Sequence, residues 1–419
     1  MNSRFCIGTI VSANYLAYAK TLSDSVAKHA PDADFRVLIV DRMTEVVKSA
    51  VARSGLKAIF AEQLGLADFE HLAFKYEIVE LNTALKPTFL KRLFLEGYGR
   101  VAYFDPDIQI FSPLNPVQQA LDTADIVLTP HAIAPVIDGF RPSDIDFLRN
   151  GSFNLGFIAL GGSRESSAML DWWEARCLAF GHNDLIYGTF VDQKWIDLVP
   201  SYFESVKVLR HPGCNVAYWN LHERSLRRDT SGYSVNSEPL CFFHFSGVKA
   251  HSPEVLSRHQ TRHHITPHSE LADLVSNYCS SLISNGHDQY AKIAYTFARF
   301  DNGDHISPIA RRAATFAVSL VEQPFSANSI FHKQIRSQNL ITTENSSVAS
   351  INTLNFDAES REVRLANRLI RWACKIVGVD RVYKLLKYFT FLNREANFAR
   401  VLFGEPFDLV HKPKGTRPR

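Results

Sequence analysis

The first hundred residues alternate short apolar runs, typical of buried strands, with amphipathic stretches typical of helices, and this alternation constrains the fold most strongly. The predicted strands are residues 5–11, 35–40, 58–60 and 100–104, and the predicted helices are residues 15–29, 46–54 and 86–97. Strands that alternate with helices pair in parallel through right-handed crossovers, which predicts an α/β fold. Ligands of such folds bind at the carboxyl ends of the strands, so polar motifs that follow strands are candidate site residues.

The composition is that of a folded protein. Of 419 residues, 46% are hydrophobic and 21% are charged, which provides enough apolar chain for a buried core and excludes a disordered protein. The formal net charge of +3 is too small to indicate nucleic acid as a partner. No apolar run reaches the ~18 residues that a spanning helix requires. The apolar stretch near the N-terminus is too short for a signal peptide.

The cysteines indicate a reducing compartment. The chain holds no CxxC pair, and its six cysteines are scattered over Cys6, Cys177, Cys214, Cys241, Cys279 and Cys374. This pattern favours buried, reduced thiols over a disulfide framework. We therefore expect a cytoplasmic protein.

A pair of carboxylates follows the predicted strand 100–104. Asp105 and Asp107 are separated only by Pro106, which stiffens the turn between them. Hard oxygen ligands at this spacing suit Mg²⁺ or Mn²⁺, and a divalent ion held there neutralises a diphosphate. Aspartate pairs also cap helices and shape turns, so this motif alone does not decide a function.

Two further motifs place amides beside regular structure. Asn154 and Gly156 open the apolar segment 153–160, where an amide can bind sugar hydroxyls and glycine permits a close approach. Asp192 and Gln193 precede a helical pattern, and by themselves they are better explained as an ordinary helix start.

A fourth motif places an imidazole at the end of an aromatic strand. His244 follows Phe242 and Phe243, and Gly247 and Lys249 come within the next five residues. Histidine can complete a Mn²⁺ shell that carboxylates begin, and a nearby lysine supplies a positive charge for phosphate. A single histidine on such a strand is more often a core residue, but here three other motifs accompany it.

The order DxD, FNxG, DQ and HxxGxK, spread over residues 105–249, resembles the family 8 glycosyltransferases of the GT-A fold, over residues 3–255. The resemblance implies a Rossmann-like mixed sheet flanked by helices, followed by a mostly helical C-terminal region. It also implies a metal-dependent, retaining hexosyltransferase that takes sugar from a nucleotide-diphosphate donor, with a UDP-sugar favoured. The acceptor would be a glycan or a lipid-linked glycan, as in lipopolysaccharide synthesis.

The resemblance also implies a role for each matching residue. The implied ligands of Mn²⁺, or of Mg²⁺, are Asp105, Asp107 and His244. The residues that would face the donor sugar and the reaction centre are Asn154, Asp192 and Gln193. The residues that would meet the diphosphate are Gly247 and Lys249, although members of the family usually have one more residue before this lysine.

Other nucleotide contacts are expected from the topology. Lys86 lies where the family often keeps a basic residue between nucleotide and sugar. The base and ribose pocket is expected to be lined by Thr9 and by residues 13–15, which include Asn14 and Tyr15, because these follow the first strand.

Two other functions stay open at this point. A sugar nucleotidyltransferase has the same type of fold, but it would carry a glycine-rich, basic N-terminal loop that residues 7–10 do not provide. A catalytically silent sugar-nucleotide-binding module is the second alternative, and the intact DxD motif and His244 argue against it.

Six histidines lie within twenty-five residues, namely His244, His251, His259, His263, His264 and His268. The spacing of His259 and His263 would place both on one helix face and suggests a second metal site. No acidic partner lies beside them, and Arg258 and Arg262 are interleaved, so a surface segment that contacts phosphate or acceptor is favoured.

The remaining chain divides the protein into four predicted segments. These are a catalytic domain (1–268), a helical extension (269–325), a linker or long loop (326–360) and a basic amphipathic helical region (361–419). Helices are predicted at 270–284, 289–300 and 308–320. Residues 295–312 loosely resemble the region after the catalytic domain in bacterial surface-polysaccharide transferases.

The last predicted segment is strongly basic, with 14 Lys or Arg and 5 Asp or Glu in residues 361–419. Basic residues recur there at helical spacing beside apolar ones, a pattern suited to an anionic membrane surface through residues 361–400. A helical subdomain with a solvated basic face is the alternative. The first interpretation predicts a peripheral position on the inner face of the cell membrane.

Overall fold

The computed structural model describes residues 4–316, 322–338, 340–342 and 360–404. The chain forms two compact units, residues 1–297 and 298–419. The N-terminal unit contains fourteen strands among the described residues: β1 Phe5–Val11, β2 Ala33–Ile39, β3 Ala58–Phe60, β4 Arg100–Phe104, β5 Ile108–Ile110, β6 Ile126–Pro130, β7 Phe153–Gly161, β8 Asn183–Asp184, β9 Thr189–Phe190, β10 Val206–Val208, β11 Leu226–Asp229, β12 Gly232–Val235, β13 Glu238–Pro239 and β14 Phe242–His244.

Seven of these strands form the central sheet, in the order β10-β6-β7-β4-β1-β2-β3. Strands β1, β2, β3 and β4 pair in parallel, as the alternation of strands and helices predicts. Strand β7 is inserted antiparallel between β4 and β6. The result is the mixed sheet, flanked by helices and followed by a helical C-terminal region, that is expected of a GT-A fold. Strand β5 lies outside this sheet and pairs antiparallel with β14.

Helices flank the sheet. They are α1 Leu16–His29, α2 Glu45–Ser54, α3 Phe69–Lys75, α4 Ile78–Ala84, α5 Lys86–Leu95, α6 Asn115–Leu121, α7 Asp144–Asn150, α8 Arg164–Phe180, α9 Gln193–Ile196, α10 Val199–Tyr202, α11 Glu270–Ser284 and α12 His287–Tyr290. Proline in the first turn of α5 favours a helix start there, because its φ angle suits that turn and its missing N–H is not needed.

The core between strands β4, β7 and β14 is aromatic. Phe104, Phe157 and Phe242 come from β4, β7 and β14, and each pair of rings has centroids 5.0 Å apart. All three side chains are completely buried. Close aromatic packing of this kind holds the antiparallel pair of strands β5 and β14 against the edge of the sheet that carries the DxD motif.

The C-terminal unit contains strands β15 His305–Ile306 and β16 Ile341–Thr342, which pair antiparallel. Its helices are α13 Pro308–Ala314, α14 Ile330–Ser337, α15 Arg361–Val377, α16 Val379–Leu392 and α17 Glu395–Phe403. Helix α15 is capped at its N-terminus by Ser360, whose hydroxyl accepts a hydrogen bond from the Val363 N–H. Among the described residues, no helix is both long enough and apolar enough to cross a membrane.

Three local predictions differ from the structure. The helix predicted at 289–300 is wrong beyond Tyr290, because the Thr296 N–H and hydroxyl donate to the Asp41 carboxylate and this segment is not helical. Helix α13 is shorter than predicted, although residues 317–320 of that prediction lie outside the described residues. Helix α14 lies inside the predicted linker 326–360, and residues 343–359 of that linker are also outside the described residues.

The helix face that the spacing of His259 and His263 suggested, the less favoured alternative, does not form. Residues 251–268 contain no helix. Instead, side chains bind the local backbone. The Ser257 hydroxyl accepts from the His259 N–H, and the side-chain oxygen of Gln260 accepts from the His263 N–H. Such side-chain bonds compete with helical hydrogen bonding.

Candidate functional site

The site lies where β4 ends. The Asp105 N–H donates to the Gly156 carbonyl of β7 over 2.7 Å, and the chain then turns into β5. Strand β14 pairs with β5 so that His244 lies opposite Ile108, and the Phe245 N–H donates to the Asp107 carbonyl over 2.8 Å. The pairing of β5 with β14 therefore places the imidazole beside the two carboxylates, although about 140 residues of chain separate them.

The three predicted metal ligands meet at this point. The Nε2 atom of His244 lies 3.0 Å from Oδ1 of Asp107 and 3.9 Å from Oδ2 of Asp105. One ligand atom from each residue lies within 4.8 Å of the other two. His244 is buried and both carboxylates are partly exposed, so the cluster opens to a ligand on its carboxylate side.

A hydrogen-bond network fixes the tautomer of His244. The Oδ1 atom of Asn154 accepts from the Gly156 N–H at 3.2 Å and from Nδ2 of Asn215 at 3.1 Å. Because the backbone N–H can only donate, the atom of Asn154 that faces Nδ1 of His244 at 3.2 Å is the oxygen. Nδ1 of His244 therefore carries the proton, and the lone pair of the neutral ring is on Nε2.

This tautomer favours a proton or a metal ion at Nε2. The Nε2 lone pair and the Asp107 oxygen are two acceptors 3.0 Å apart, and they repel each other unless a proton or a metal ion lies between them. Burial lowers the pKa of His244, but the Asp107 and Asp105 carboxylates outweigh it, so the pKa is raised above 6.5. The donor set of two hard carboxylates and one imidazole nitrogen fits Mn²⁺ or Mg²⁺.

Gly156 is needed for the imidazole to reach this position. A Cβ atom at Gly156 would lie 2.4 Å from Cε1 of His244 and 2.8 Å from Oδ1 of Asn154. Both distances are shorter than van der Waals contact between buried atoms. The predicted close approach at this glycine is thus made by a side chain of the protein itself.

Lys86 connects the DxD motif to Asp192. Its Nζ atom is buried, lies 2.8 Å from Oδ2 of Asp192 and 3.8 Å from Oδ1 of Asp105, and donates to the Leu155 carbonyl over 2.7 Å. The Tyr103 hydroxyl donates to Oδ1 of Asp105 over 2.8 Å. Asp192 and Asp105 therefore both lie close to one ammonium group.

The amide of Gln193 is used by the backbone. Its oxygen accepts from the Leu155 N–H over 3.0 Å, and its nitrogen donates to the Asn150 carbonyl over 2.8 Å. Gln193 thereby positions the beginning of β7. The preceding Val191 has φ of +43°, a conformation that costs a β-branched residue about 1–3 kcal/mol and aims Asp192 into the site.

The predicted nucleotide residues lie at the end of β1. The Asp41 carboxylate, at the end of β2, accepts from the Ala13 N–H over 2.7 Å and holds the short 3₁₀ turn at Ala13–Tyr15. The Thr9 hydroxyl is buried without a hydrogen-bond partner among the described residues. Burial, and after it the charge of Asp107, raise the pKa of the Tyr15 hydroxyl.

The predicted diphosphate residues differ in how firmly they are placed. Gly247 has φ of +82°, and a Cβ there would lie 2.5 Å from the Ser257 hydroxyl oxygen, so only glycine fits. The Lys249 side chain is exposed, and no acidic side chain of the described residues lies within ion-pair distance of it. Lys249 makes no ion pair with Asp105 or Asp107 among the described residues.

Sequence reasoning missed three buried residues behind His244. The Trp219 ring meets the His244 ring edge-on, with centroids 5.0 Å apart. The Nε2 atom of His131 accepts from Nδ2 of Asn154 at 3.3 Å, and Asn215 binds the Asn154 oxygen. One signal was available for His131, because it directly follows the apolar strand β6 just as Asp105 follows β4.

Comparison with known sequences gives distant relatives of undetermined function. No protein-family model matches the chain. The uncharacterized protein YfnF of Bacillus subtilis is 27% identical over 267 residues, which cover 62% of this chain and 87% of YfnF. YfnD of the same organism, also uncharacterized, is 25% identical over 250 residues, or 58% of this chain and 78% of YfnD.

Comparison with solved structures gives weak similarities to glycosyltransferases. The galactosyltransferase LgtC, solved with donor and acceptor sugar analogues, is 16% identical with a TM-score of 0.39, covering 66% of this chain and 95% of LgtC. The glycosyltransferase GlyE of Streptococcus pneumoniae is 14% identical with a TM-score of 0.40, covering 74% and 72%. At such scores the function has to be argued from the geometry of the site itself.

Proposed function

We propose that this protein is a metal-dependent glycosyltransferase that moves a sugar from a nucleotide-diphosphate donor, with a UDP-sugar favoured, to a glycan or lipid-linked acceptor. The observation that carries the proposal is the convergence of Asp105, Asp107 and His244 on one point, with the lone pair of the imidazole facing the carboxylates. A structural aspartate pair that only shapes a turn has no need of a buried histidine held in one tautomer.

Asp105, Asp107 and His244 would hold Mn²⁺ or Mg²⁺. When bound, this ion supplies positive charge that neutralises the diphosphate and makes it a better leaving group. The exposed ammonium of Lys249 is available to a phosphate because no acidic side chain of the described residues occupies it. Gly247, whose Cβ-free backbone permits the turn beside Ser257, presents Lys249 two residues later.

Asp192 is the group best placed to act on the sugar. Its carboxylate is buried and paired with Lys86, and burial raises the pKa of Asp192 while the lysine opposes that shift. Lys86 also lies near Asp105, so it fixes the separation between Asp192 and the diphosphate-binding edge. A carboxylate in this position stabilises positive charge on the departing sugar, in an oxocarbenium-like transition state.

Retention of anomeric configuration is the outcome that we propose for the transfer. The bond between the anomeric carbon and the diphosphate oxygen breaks, and the acceptor oxygen bonds to the same carbon from the same face. The proton of the acceptor hydroxyl leaves with the diphosphate. Asn154 and Gln193 act as positioning residues, because their amides are occupied by His244 and by the backbone of residues 150 and 155.

The nucleotide would lie over the end of β1. Two buried polar atoms there, the Thr9 hydroxyl oxygen and the side-chain amide oxygen of Asn14, have no hydrogen-bond partner among the described residues. A ligand would satisfy both. The Tyr15 ring is 44% exposed and stacks on Tyr18 with centroids 4.6 Å apart, so it offers a flat face to a base.

An acceptor on a lipid carrier is favoured by helix α15. Four exposed apolar side chains follow one side of this helix, and four basic side chains adjoin them: Leu365, Leu369, Trp372 and Ile376, with Arg364, Arg368, Arg371 and Lys375. A basic amphipathic helix of this kind binds anionic lipid surfaces through burial of the apolar side chains and attraction of the cations. We propose that it brings the protein to the inner face of the membrane.

Calorimetric binding and hydrolysis of a panel of UDP-, GDP- and CMP-sugars, with and without Mn²⁺, would test the function. We expect one nucleotide to bind only in the presence of metal, and the Asp107→Asn variant to lose that binding. Asp171→Asn, an exposed aspartate on α8, is the matched control and should bind normally.

Nucleotide binding that persists without metal and in the Asp107→Asn variant would contradict the proposed transferase function. It would favour a catalytically silent sugar-nucleotide-binding module. Binding without any turnover across acceptors would point to the same conclusion. Formation of a nucleotide sugar from a sugar phosphate and a nucleoside triphosphate would instead identify a nucleotidyltransferase.

A further inference from the structure

A second cluster of metal-binding side chains lies at the other end of strand β14. Ligand atoms of His211, Cys214 and Cys241 all lie within 4.8 Å of one another. Both cysteines are buried, with 1% of each exposed, and His211 is partly exposed. The proposed transferase chemistry uses none of these residues.

The backbone forces the two cysteines together. The N–H groups of Cys241 and Phe242 donate to the Gly213 carbonyl over 2.8 and 3.2 Å. A Cβ at Gly213 would lie 2.0 Å from the Pro239 carbonyl oxygen, so only glycine permits this approach. The neighbouring Cys214 is thereby held against Cys241 by main-chain contacts, which do not depend on the thiols.

The imidazole already has the tautomer of a metal ligand. The Gly213 N–H donates to Nδ1 of His211 over 3.1 Å, so Nδ1 carries the lone pair and Nε2 carries the proton. A metal ion on Nδ1 would replace this hydrogen bond, because the nitrogen has a single lone pair. Nε2 faces Oε2 of Glu238 at 3.5 Å. A histidine that ligates through one nitrogen while a carboxylate binds the other is the usual arrangement around protein-bound zinc.

The three side chains form a soft donor set. Two buried cysteine sulfurs lie beside an imidazole, and the Cys241 thiol donates a weak hydrogen bond to the Pro239 carbonyl over 3.7 Å. Sulfur and imidazole ligands of this kind suit Zn²⁺.

We propose that Cys214, Cys241 and His211 form a second metal site, a Cys₂His site that binds Zn²⁺. Thiolate and imidazole ligands select zinc over the Mn²⁺ or Mg²⁺ that suits the hard carboxylates of the DxD motif. Binding displaces the thiol protons of Cys214 and Cys241 to solvent, and water fills the fourth position of a tetrahedral ion. The ion fastens residues 211–214 to the beginning of β14, three residues before His244.

Cobalt is the probe for this site, because Co²⁺ bound by thiolates gives an intense near-ultraviolet charge-transfer band and carboxylate sites do not. The full-length protein, reduced and stripped of metal, is titrated with Co²⁺ and then with Zn²⁺. We expect a saturable band at one equivalent that zinc abolishes. Asp107→Asn should keep the band, so this result is independent of whether the proposed transferase is correct.

One ligand variant, one control and one variant of a neighbouring carboxylate test the site. Cys241→Ser should lose the band, and Cys279→Ser, a buried cysteine outside the cluster, should keep it. Glu238→Gln alters an exposed side chain and leaves the fold intact, and it should weaken cobalt binding about 10-fold. Absence of a band in the wild type, a band that survives Cys241→Ser in a folded protein, unchanged affinity in Glu238→Gln, or a Cys214–Cys241 disulfide in the isolated protein would each overturn the proposal.

Discussion

The Nδ1 atom of His244 lies 3.2 Å from Oδ1 of Asn154, and this contact decides which nitrogen of the imidazole can bind metal. The oxygen is identified by the Gly156 N–H, which can only donate to it. The proton is consequently on Nδ1, and Nε2 faces Asp107. The motif asparagine thus acts on the metal site through the histidine.

Asn154→Ala should weaken Mn²⁺ binding about 10-fold to 100-fold, because the imidazole loses the partner that fixes its tautomer and orientation. Calorimetric titration of Mn²⁺ in the presence of the donor nucleotide measures this. Asn277→Ala, at an exposed position of α11, is the control and should bind Mn²⁺ normally. Unchanged affinity in Asn154→Ala would remove the asparagine from the metal site.

Gly156→Ala should disrupt the same site by steric conflict. The added methyl group would lie 2.4 Å from Cε1 of His244, so the ring must move, at a cost of about 1–3 kcal/mol. Urea unfolding and Mn²⁺ titration measure the two effects. Gly161→Ala, on the same strand, meets nothing closer than 3.4 Å and should be nearly silent in both measurements. Equal behaviour of the two variants would show that the close approach is unimportant.

Lys86→Met should destabilise the protein by about 3–5 kcal/mol, because it leaves the buried Asp192 carboxylate without its cation. Adding Asp192→Leu should recover most of the lost stability, since neither charge then remains buried, but no activity. Lys91→Met on the same helix breaks exposed ion pairs and should cost about 1 kcal/mol or less. If the double variant were as unstable as Lys86→Met, the pairing of Lys86 with Asp192 would not explain the loss.

Stability should fall in mild acid because of His131. Burial lowers the pKa of His131 from 6.5 to about 4, so between these values the unfolded chain binds a proton that the folded protein does not. The free energy of unfolding therefore rises with pH in this window, and from pH 7 to pH 5 the group removes about 2 kcal/mol.

His131→Gln keeps an acceptor for Asn154 but cannot titrate, so it should lose less stability than the wild type between pH 7 and pH 5. Urea unfolding at the two pH values measures the difference. His264→Gln, at an exposed position, should follow the wild type. Parallel losses in the wild type and His131→Gln would exclude His131 as the cause.

Helix α15 should bind anionic vesicles. Trp372 and Leu369 are 64% and 57% exposed, so the double substitution Trp372→Ser/Leu369→Ser should reduce co-sedimentation with phosphatidylglycerol vesicles and leave the fold intact. Leu95→Ser, which alters a leucine of α5 that is 83% exposed, should sediment like the wild type. Binding that is equal for neutral and anionic vesicles, or unchanged in the double variant, would contradict the proposed membrane surface.

The sequence by itself determined the parts of the fold that depend on local pattern. Residues 5–11, 58–60 and 100–104 form strands as predicted, since each is a short apolar run between helical stretches. The DxD motif and His244 could be selected as ligands because carboxylate and imidazole chemistry is visible in the residue types and in their position after strands. In the structure, one ligand atom from each of the three residues lies within 4.8 Å of the other two.

Only the tertiary structure decided how these pieces meet. Strand β7 runs antiparallel to β4, which brings Asn154 at its beginning to the end of β4, beside His244. The order and direction of strands depend on contacts between distant segments, and no local pattern encodes them. For the same reason, the sequence could not show that the Gln193 amide serves the backbone of β7, or that Lys86 lies between Asp105 and Asp192.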